Sequence, residues 1–177
     1  MQISIPDLYA RYLSCTGVTT DTRKLEPGNL FFALKGPNFN ANQLAAQALE
    51  TGADYAVIDD PAFDTGGRTL LVDDALTALQ DLARFHRNRL KIPVFGLTGS
   101  NGKTTTKELL NAVLSQKFVT FATRGNLNNH IGVPLTVLAI GGETELAIVE
   151  MGANHQGEIR LLSSICRPTH GLITNIG

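Results

Sequence analysis

The chain has 177 residues, of which 43% are hydrophobic and 18% charged, a composition typical of a folded globular protein with one large domain or two small ones. A net charge of −1 excludes a polyanion-binding surface as its main feature, so no nucleic-acid partner is expected. Two distant cysteines, no signal-like N-terminus and no long apolar run predict a cytoplasmic protein without a membrane span.

Residues 1–74 have the pattern of a small α/β domain. A polar cap at Ser4, followed by apolar residues at helical spacing, predicts a short N-terminal helix. Runs of β-branched and aromatic residues predict strands, and a second apolar face at helical spacing predicts a helix that ends at Gly52. The expected strands lie at 18–22, 30–34, 55–58 and 69–72, and the expected helix lies at 42–51.

A long amphipathic helix is expected at 75–91, and it would connect two domains. Beyond it, residues 92–177 alternate strands with helices, which favours a mostly parallel sheet. Strands are expected at 92–97, 118–122, 145–150 and 171–176, the last of them buried, with helices after residue 103 and at 159–165. Because ligands bind at the carboxyl ends of strands in open α/β sheets, a chain that stops just after a strand is expected to be a fragment.

A glycine-rich turn joins the strand at 92–97 to the helix after it. Glycines permit positive φ angles and let backbone N–H groups approach phosphate oxygens at the positive end of a helix. The lysine would reach the β- and γ-phosphates of a nucleotide, and the first threonine would bind Mg²⁺. Only two residues separate the glycines, where the usual P-loop has four. The alternative is an ordinary strand-to-helix turn that contains a lysine. The residues of the turn are Gly99, Ser100, Asn101, Gly102, Lys103, Thr104 and Thr105.

Polar residues after two later strands are further candidates. Glu150 ends an apolar strand, and a carboxylate placed there beside a phosphate loop can hold Mg²⁺, the alternative being a solvated glutamate. His155 is either a second metal ligand or merely the start of a helix. Asn126, Asn128 and Asn129 can donate to and accept from a base, a ribose or a substrate amide, although asparagine is also common in turns.

Several motifs in order resemble the Mur ligases, ATP-dependent amide-forming enzymes of peptidoglycan synthesis. The matching stretches are 98–105, 125–129 with 132–134, and 150–152. Residues 20–23 and 28–36 resemble the uridine-nucleotide domain of the two later ligases of the family. The runs 126–134 and 151–159 are most similar to the branch that joins D-alanyl-D-alanine to UDP-N-acetylmuramoyl-tripeptide. The resemblance covers the whole chain but only about the first two-fifths of such an enzyme.

This resemblance implies domains at 1–74 for the UDP substrate and at 92–177 for part of the ATPase, joined by the helix at 75–91. It also implies ATP and Mg²⁺ as cofactors and a monomer that activates a carboxylate as an acyl phosphate. Lys103 and Glu150 would be catalytic, the loop at 99–105 would bind ATP, and Mg²⁺ would lie on Thr104 and Glu150, with His155 as a weaker candidate. The substrate-binding residues implied are Asp21, Thr22, Arg23, Asn128 and Asn129.

Two departures from the family pattern stand out. Asn40, Ala41 and Asn42 occupy the place where many relatives have Asp-Gly-His, and His130 stands where an acidic residue is common. The fragment by itself is expected to fold but not to ligate. Competing interpretations are another ligase of the superfamily, a non-catalytic UDP-sugar-binding module and a generic P-loop kinase. The third residue of the tripeptide stays open.

Overall fold

The structure is a computed structural model, and it describes residues 2–176. Two compact units make up the chain, Met1–Phe85 and His86–Gly177. The predicted domain limits at residues 1 and 177 lie outside the described residues. Each unit contains one four-stranded parallel sheet.

The first unit is built on a sheet in the order β1-β2-β5-β6. β2 is the most buried of its strands, since Leu30, Phe31 and Phe32 are fully inaccessible to solvent. One face of that sheet packs against the alanine-rich helix α2. Gly52, with φ of 124°, ends α2 as expected. The elements are α1 (Ile5–Ser14), β1 (Gly17–Thr19), β2 (Asn29–Phe32), β3 (Lys35–Gly36), β4 (Phe39–Asn40), α2 (Ala45–Thr51), β5 (Tyr55–Ile58) and β6 (Thr69–Leu71).

The strand predicted at 18–22 was wrong at its C-terminal end. β1 stops at Thr19, and Thr22–Lys24 form a 3₁₀ turn. The Asp21 side chain accepts the backbone N–H of Arg23 at 3.0 Å, and this local bond competes with strand pairing. Similarly, the residues 41–44 before α2 form a 3₁₀ turn because Asn40 caps them.

Helix α3 (Ala75–Arg87) carries the boundary between the two units. It ends four residues earlier than the predicted limit at 91. The N–H groups of Arg89 and Leu90 turn back to the carbonyls of His86 and Arg87, which closes the helix in tight turns.

The second unit has the strand order β10-β7-β9-β8. β9 lies in the interior of this sheet, and all five of its residues are buried. The prediction of an α/β fold with a mostly parallel sheet is confirmed. The elements are β7 (Val94–Thr98), α4 (Lys103–Leu114), β8 (Thr120–Ala122), α5 (Gly132–Leu138), β9 (Leu146–Glu150), α6 (Glu158–Cys166) and β10 (His170–Ile173).

The prediction that the last strand is buried was wrong. All four residues of β10 are exposed, with Leu172 at 42% and Ile173 at 59% of their full accessibility. The strand lies at an edge of the sheet and pairs with β7 alone. Within residues 2–176, every helix is too short or too polar to span a bilayer.

Candidate functional site

The glycine-rich turn lies between the carboxyl end of β7 and the first turn of α4. Both of its glycines have positive φ angles, 141° at Gly99 and 77° at Gly102. A side chain at Gly99 would collide with the hydroxyl of Thr174, so the chain approaches a neighbouring loop closely there. Gly102 is the N-cap of α4 and adopts the left-handed conformation. Both glycines are therefore required by the backbone, as the sequence predicts.

The start of α4 has the features of an anion site. No side chain caps the helix, and the first N–H groups of a helix have no intrahelical partners. These N–H groups form the positive end of the helix dipole, where phosphate groups bind. The Lys103 Nζ donates to the carbonyl of Gly99 at 2.6 Å and lies 3.4 Å from that of Ser100, so its positive charge lies next to the turn.

Residues that follow β10 also form hydrogen bonds with the turn. The N–H of Asn101 donates to Asn175 Oδ1 at 2.8 Å, and the N–H of Ser100 donates to the Asn175 carbonyl at 3.2 Å. The Thr174 hydroxyl donates to the carbonyl of Asn101 at 2.6 Å. Sequence reasoning missed both residues. Their position just after a strand, at the carboxyl edge of a parallel sheet, is the signal that could have identified them.

Glu150 lies directly beside the turn. In the sheet it is paired with Leu97, two residues before Gly99, and it is 1% exposed. Its carboxylate accepts the Thr104 hydroxyl, with O–O distances of 3.1 and 3.3 Å, and the Asn128 amide at 2.8 Å. The structure thus brings together three of the predicted site residues, from α4, from β9 and from the loop after β8.

The donor set at Thr104 and Glu150 fits Mg²⁺. A hydroxyl and a carboxylate are hard oxygen ligands, and Mg²⁺ is usually held by one or two such groups together with water and substrate phosphates. Among the described residues no cluster of three or more His, Cys, Asp or Glu side chains could hold a metal ion. The pair therefore suits a cation that arrives with a nucleotide rather than one held in a cage of protein ligands.

Lys107 is a member of this site that the sequence did not reveal. It lies three residues after Thr104 on the same face of α4, and its side chain is 2% exposed. The Nζ donates to the carbonyl of Thr123 at 2.8 Å and lies 3.9 Å from Glu150 Oε2. The Thr123 hydroxyl in turn accepts the backbone N–H of Glu150 at 2.9 Å. A lysine inside a helix normally indicates a solvated position, so only the fold could show its burial.

The other two predicted residues of this unit lie at a neighbouring cavity. Asn129 Oδ1 accepts the N–H groups of Ile131 and Gly132, at 3.1 and 2.8 Å, just before α5. Asn129 and His155 line a cavity of about 400 Å³ together with His130. Glu158 also lines this cavity, and hydrogen bonds from the backbone N–H groups of His155 and Asn154, just before α6, lower its pKa. The structure places His155 there and records no bond between it and Glu150.

The predicted substrate residues of the first unit form one cluster. Asp21, Thr22 and Arg23 line a cavity of about 480 Å³ with the half-exposed ring of Phe39. Arg23 donates through Nε and Nη2 to the two oxygens of Asp21, at 2.9 and 2.8 Å. These hydrogen bonds lower the pKa of Asp21 to about 2, so the carboxylate is ionised and the guanidinium is held in place.

Two of the residues that depart from the family pattern, Asn40 and Asn42, share one hydrogen-bond network. Asn42, which is fully buried, donates from Nδ2 to Asn40 Oδ1 at 2.8 Å and to Asp59 Oδ1 at 2.7 Å. Its own Oδ1 accepts the N–H of Asp59 at 3.0 Å. Lys35 pairs with the same Asp59 carboxylate at 2.9 Å. Asn42 therefore supplies both a donor and an acceptor to a buried polar position.

Together, the parallel sheet, the glycine turn at the start of α4 and the adjoining hydroxyl–carboxylate pair give the second unit the architecture of a P-loop domain of the α/β class. Residues 97–177 match the Mur ligase middle domain. The chain belongs to the Mur ligase family.

The curated relatives that it matches include UDP-N-acetylmuramoyl-tripeptide–D-alanyl-D-alanine ligases from several bacteria. The one from Bacillus subtilis is 49% identical over 91% of this chain, and the one from Escherichia coli is 45% identical over 96%. Among solved structures, MurF from Acinetobacter baumannii aligns with a TM-score of 0.85 and 36% identity over the whole chain, which covers 42% of it. MurF from Thermotoga maritima in complex with ADP aligns over 94% of this chain and 38% of its own, with a TM-score of 0.83 and 32% identity. The chain spans 36% of the Bacillus relative and 37% of the Escherichia relative.

Proposed function

We propose that this chain carries the UDP-substrate domain and the phosphate-loop part of the ATPase domain of a D-alanyl-D-alanine-adding ligase. The reaction joins D-alanyl-D-alanine to UDP-N-acetylmuramoyl-tripeptide, at the expense of ATP. The observation that carries the proposal is the contact between Thr104 and Glu150 beside a glycine turn at a helix N-terminus. The identity to relatives with this printed activity supports the choice of substrates.

A carboxylate becomes an electrophile only when one of its oxygens is converted to a leaving group. In the proposed reaction an oxygen of the terminal carboxylate of the tripeptide attacks the γ-phosphorus of ATP, and ADP leaves. The amine of D-alanyl-D-alanine then attacks the acyl carbon, which forms the amide bond and releases phosphate and a proton. The N–H groups of the turn bind the phosphate chain, and Lys103 neutralises its charge. Thr104 and Glu150 would hold Mg²⁺, which when bound would offset the charge that develops on the transferred group.

The first unit would hold the UDP end of the muramoyl substrate. Arg23 offers a fixed cation for a diphosphate, and Phe39 offers an aromatic surface beside it in the same cavity. Asn128 and Asn129 would lie on the substrate side of the ATP site. In this proposal residues 1–74 form the substrate domain, 75–91 the connecting helix and 92–177 the ATPase part.

The proposal also covers the cellular compartment and the oligomeric state of the enzyme. Cys15 and Cys166 are both free thiols, a state favoured in the reducing cytoplasm. We expect the protein to act there as a monomer.

Isothermal titration of the chain with ATP, with and without Mg²⁺, tests the nucleotide part of the proposal. We expect binding that strengthens with Mg²⁺ and that weakens at least tenfold in the variant Thr104→Val. Thr77→Val is the matched control, because it removes an exposed helical threonine hydroxyl in the first unit. A wild-type chain without affinity for ATP would overturn this part.

Titration with UDP-N-acetylmuramoyl-tripeptide tests the substrate part, with UDP-N-acetylglucosamine as the comparison ligand. We expect the tripeptide nucleotide to bind more tightly, and Arg23→Met to weaken its binding without changing the affinity for ATP. Equal binding of the two nucleotides would favour a general UDP-sugar module instead.

A further inference from the structure

Two lysines lie one turn apart at the start of α4 and have different surroundings. Lys103 reaches back over the glycine turn to the carbonyl of Gly99. Lys107 is buried and reaches the carbonyl of Thr123, at the loop after β8. Its ammonium group therefore lies among protein atoms next to Glu150, and not on the exposed side of the turn where a phosphate would bind.

Both oxygens of the Glu150 carboxylate contact other side chains of the protein. Oε1 accepts the Asn128 amide at 2.8 Å, while Oε2 is 3.1 Å from the Thr104 hydroxyl and 3.9 Å from Lys107 Nζ. Among the described residues, Lys107 is the basic side chain that pairs with this carboxylate. Both side chains of the pair are 2% exposed.

A buried carboxylate needs such a partner. Moving an ionised group out of water is costly unless it is paired and hydrogen-bonded, and removing one member of a buried pair leaves the other uncompensated. Thr104 and Asn128 are neutral donors, so the ammonium of Lys107 is what balances the charge. Its position is fixed in turn, because Nζ also donates to the Thr123 carbonyl and meets Glu108 Oε1 at 3.0 Å.

We propose that Lys107 is a positioning residue that holds the Glu150 carboxylate in place and turned towards Thr104. The role rests on the proposed function, in which Glu150 is a magnesium ligand. In this role Lys107 would act through Glu150 and would not itself contact nucleotide or metal. Lys107 contacts the Glu150 carboxylate from its buried side, so that the carboxylate stays next to the Thr104 hydroxyl.

A double-mutant cycle measures the pairing without any ligand. Urea unfolding is followed for the wild-type chain, Lys107→Met, Glu150→Gln and the double variant, with Lys91→Met as the exposed-lysine control. We expect Lys107→Met to lower the folding equilibrium constant at least tenfold more in the wild-type background than in the Glu150→Gln background. Equal losses in both backgrounds would overturn the proposal. If Lys107→Met does not fold, Glu150→Gln must restore folding, and a double variant that also fails to fold would overturn it.

Nucleotide binding distinguishes positioning from a purely structural role. In the absence of Mg²⁺ we expect the ATP affinity of Lys107→Met to lie within about twofold of the wild-type value. The factor by which Mg²⁺ increases ATP affinity should be at least tenfold smaller in the variant than in wild type. Lys107→Arg should restore most of that increment. Equal losses of ATP affinity with and without Mg²⁺ would mean that the turn itself is damaged and would overturn the role. A wild-type chain that binds no ATP would refute the proposed function, and the stability cycle alone would then decide on the pairing.

Discussion

Asn175 accepts a hydrogen bond from the backbone N–H of Asn101 at 2.8 Å, although the two residues are 74 positions apart in the chain. This bond joins the segment after β10 to the turn after β7. The shape of the glycine turn therefore depends on a segment that is distant in sequence as well as on its own glycines. Removing the Asn175 side chain should loosen the turn without exposing the core.

We predict that Asn175→Ala weakens ATP binding by about twofold to tenfold, the range set by one hydrogen bond of about 0.5–1.5 kcal/mol. The free energy of unfolding should change by less, since Asn175 is exposed. Titration calorimetry measures the first quantity and urea unfolding the second. Gln116→Ala serves as the control because it removes an exposed amide just beyond the C-terminal end of α4, at the opposite end of that helix from the turn. An unchanged ATP affinity would show that the turn keeps its shape without this bond.

Gly96 in β7 gives a prediction on packing. A Cβ at this position would lie 2.9 Å from the Met151 methyl carbon and 2.9 Å from Pro168 Cβ. We expect Gly96→Ala to lower the free energy of unfolding by about 1–3 kcal/mol, as overpacking does. Gly171→Ala in β10 is the matched control, since a Cβ there meets no atom within 4 Å. Equal stability of the two variants would contradict this packing.

Arg87 gives a prediction on the end of α6. The residue is 7% exposed, and its guanidinium donates to the carbonyls of Cys166, Arg167 and Leu90 at 2.8, 3.0 and 3.1 Å. Arg87→Met should cost about 2–4 kcal/mol of unfolding free energy, because carbonyls at a helix C-terminus lose their donors. Arg160→Met, at an exposed position of α6, is the control. A loss below about 0.5 kcal/mol would contradict a capping role.

Asp59 gives a prediction on pH. Burial alone would raise the pKa of this carboxyl, but hydrogen bonds from Lys35, Asn42 and the N–H of Ala75 outweigh it and lower the pKa. A carboxyl with a lowered pKa stabilises the fold above its unfolded-state pKa of about 3.9, and this contribution disappears as the pH falls through the folded value. Unfolding measured from pH 7 to pH 3 should therefore show a smaller acid-induced loss in Asp59→Asn than in wild type. Asp54→Asn, an exposed aspartate, should behave like wild type.

The sequence was sufficient to predict features that depend on neighbouring residues. The turn at 99–105 and the strand-end Glu150 both follow from short patterns, and the structure brings Thr104 to Glu150 as those patterns predict. Lys107 and Asn175 could not be identified in this way. Their roles depend on which distant segments meet them, and no local pattern distinguishes a buried helical lysine from a solvated one.

Errors in the predicted elements have the same origin. An apolar run at 171–176 indicated a buried strand, but burial depends on what packs against the strand, and β10 lies at an edge. The strand expected at 18–22 ended early because the Asp21 side chain competes for a backbone N–H. Asn129 was chosen as a substrate residue, and the structure also gives it the N–H groups before α5. Asparagine patterns alone do not separate the two uses.

The exposure of β10 has a practical consequence for handling the protein. An edge strand with exposed Leu172 and Ile173 offers its outer backbone edge to a strand from another molecule, and such edges promote aggregation. Concentrated samples of this chain should therefore become turbid or gain β-rich aggregates on standing. A charge placed within that edge strand, as in Leu172→Lys, should extend the concentration range over which the protein stays dispersed.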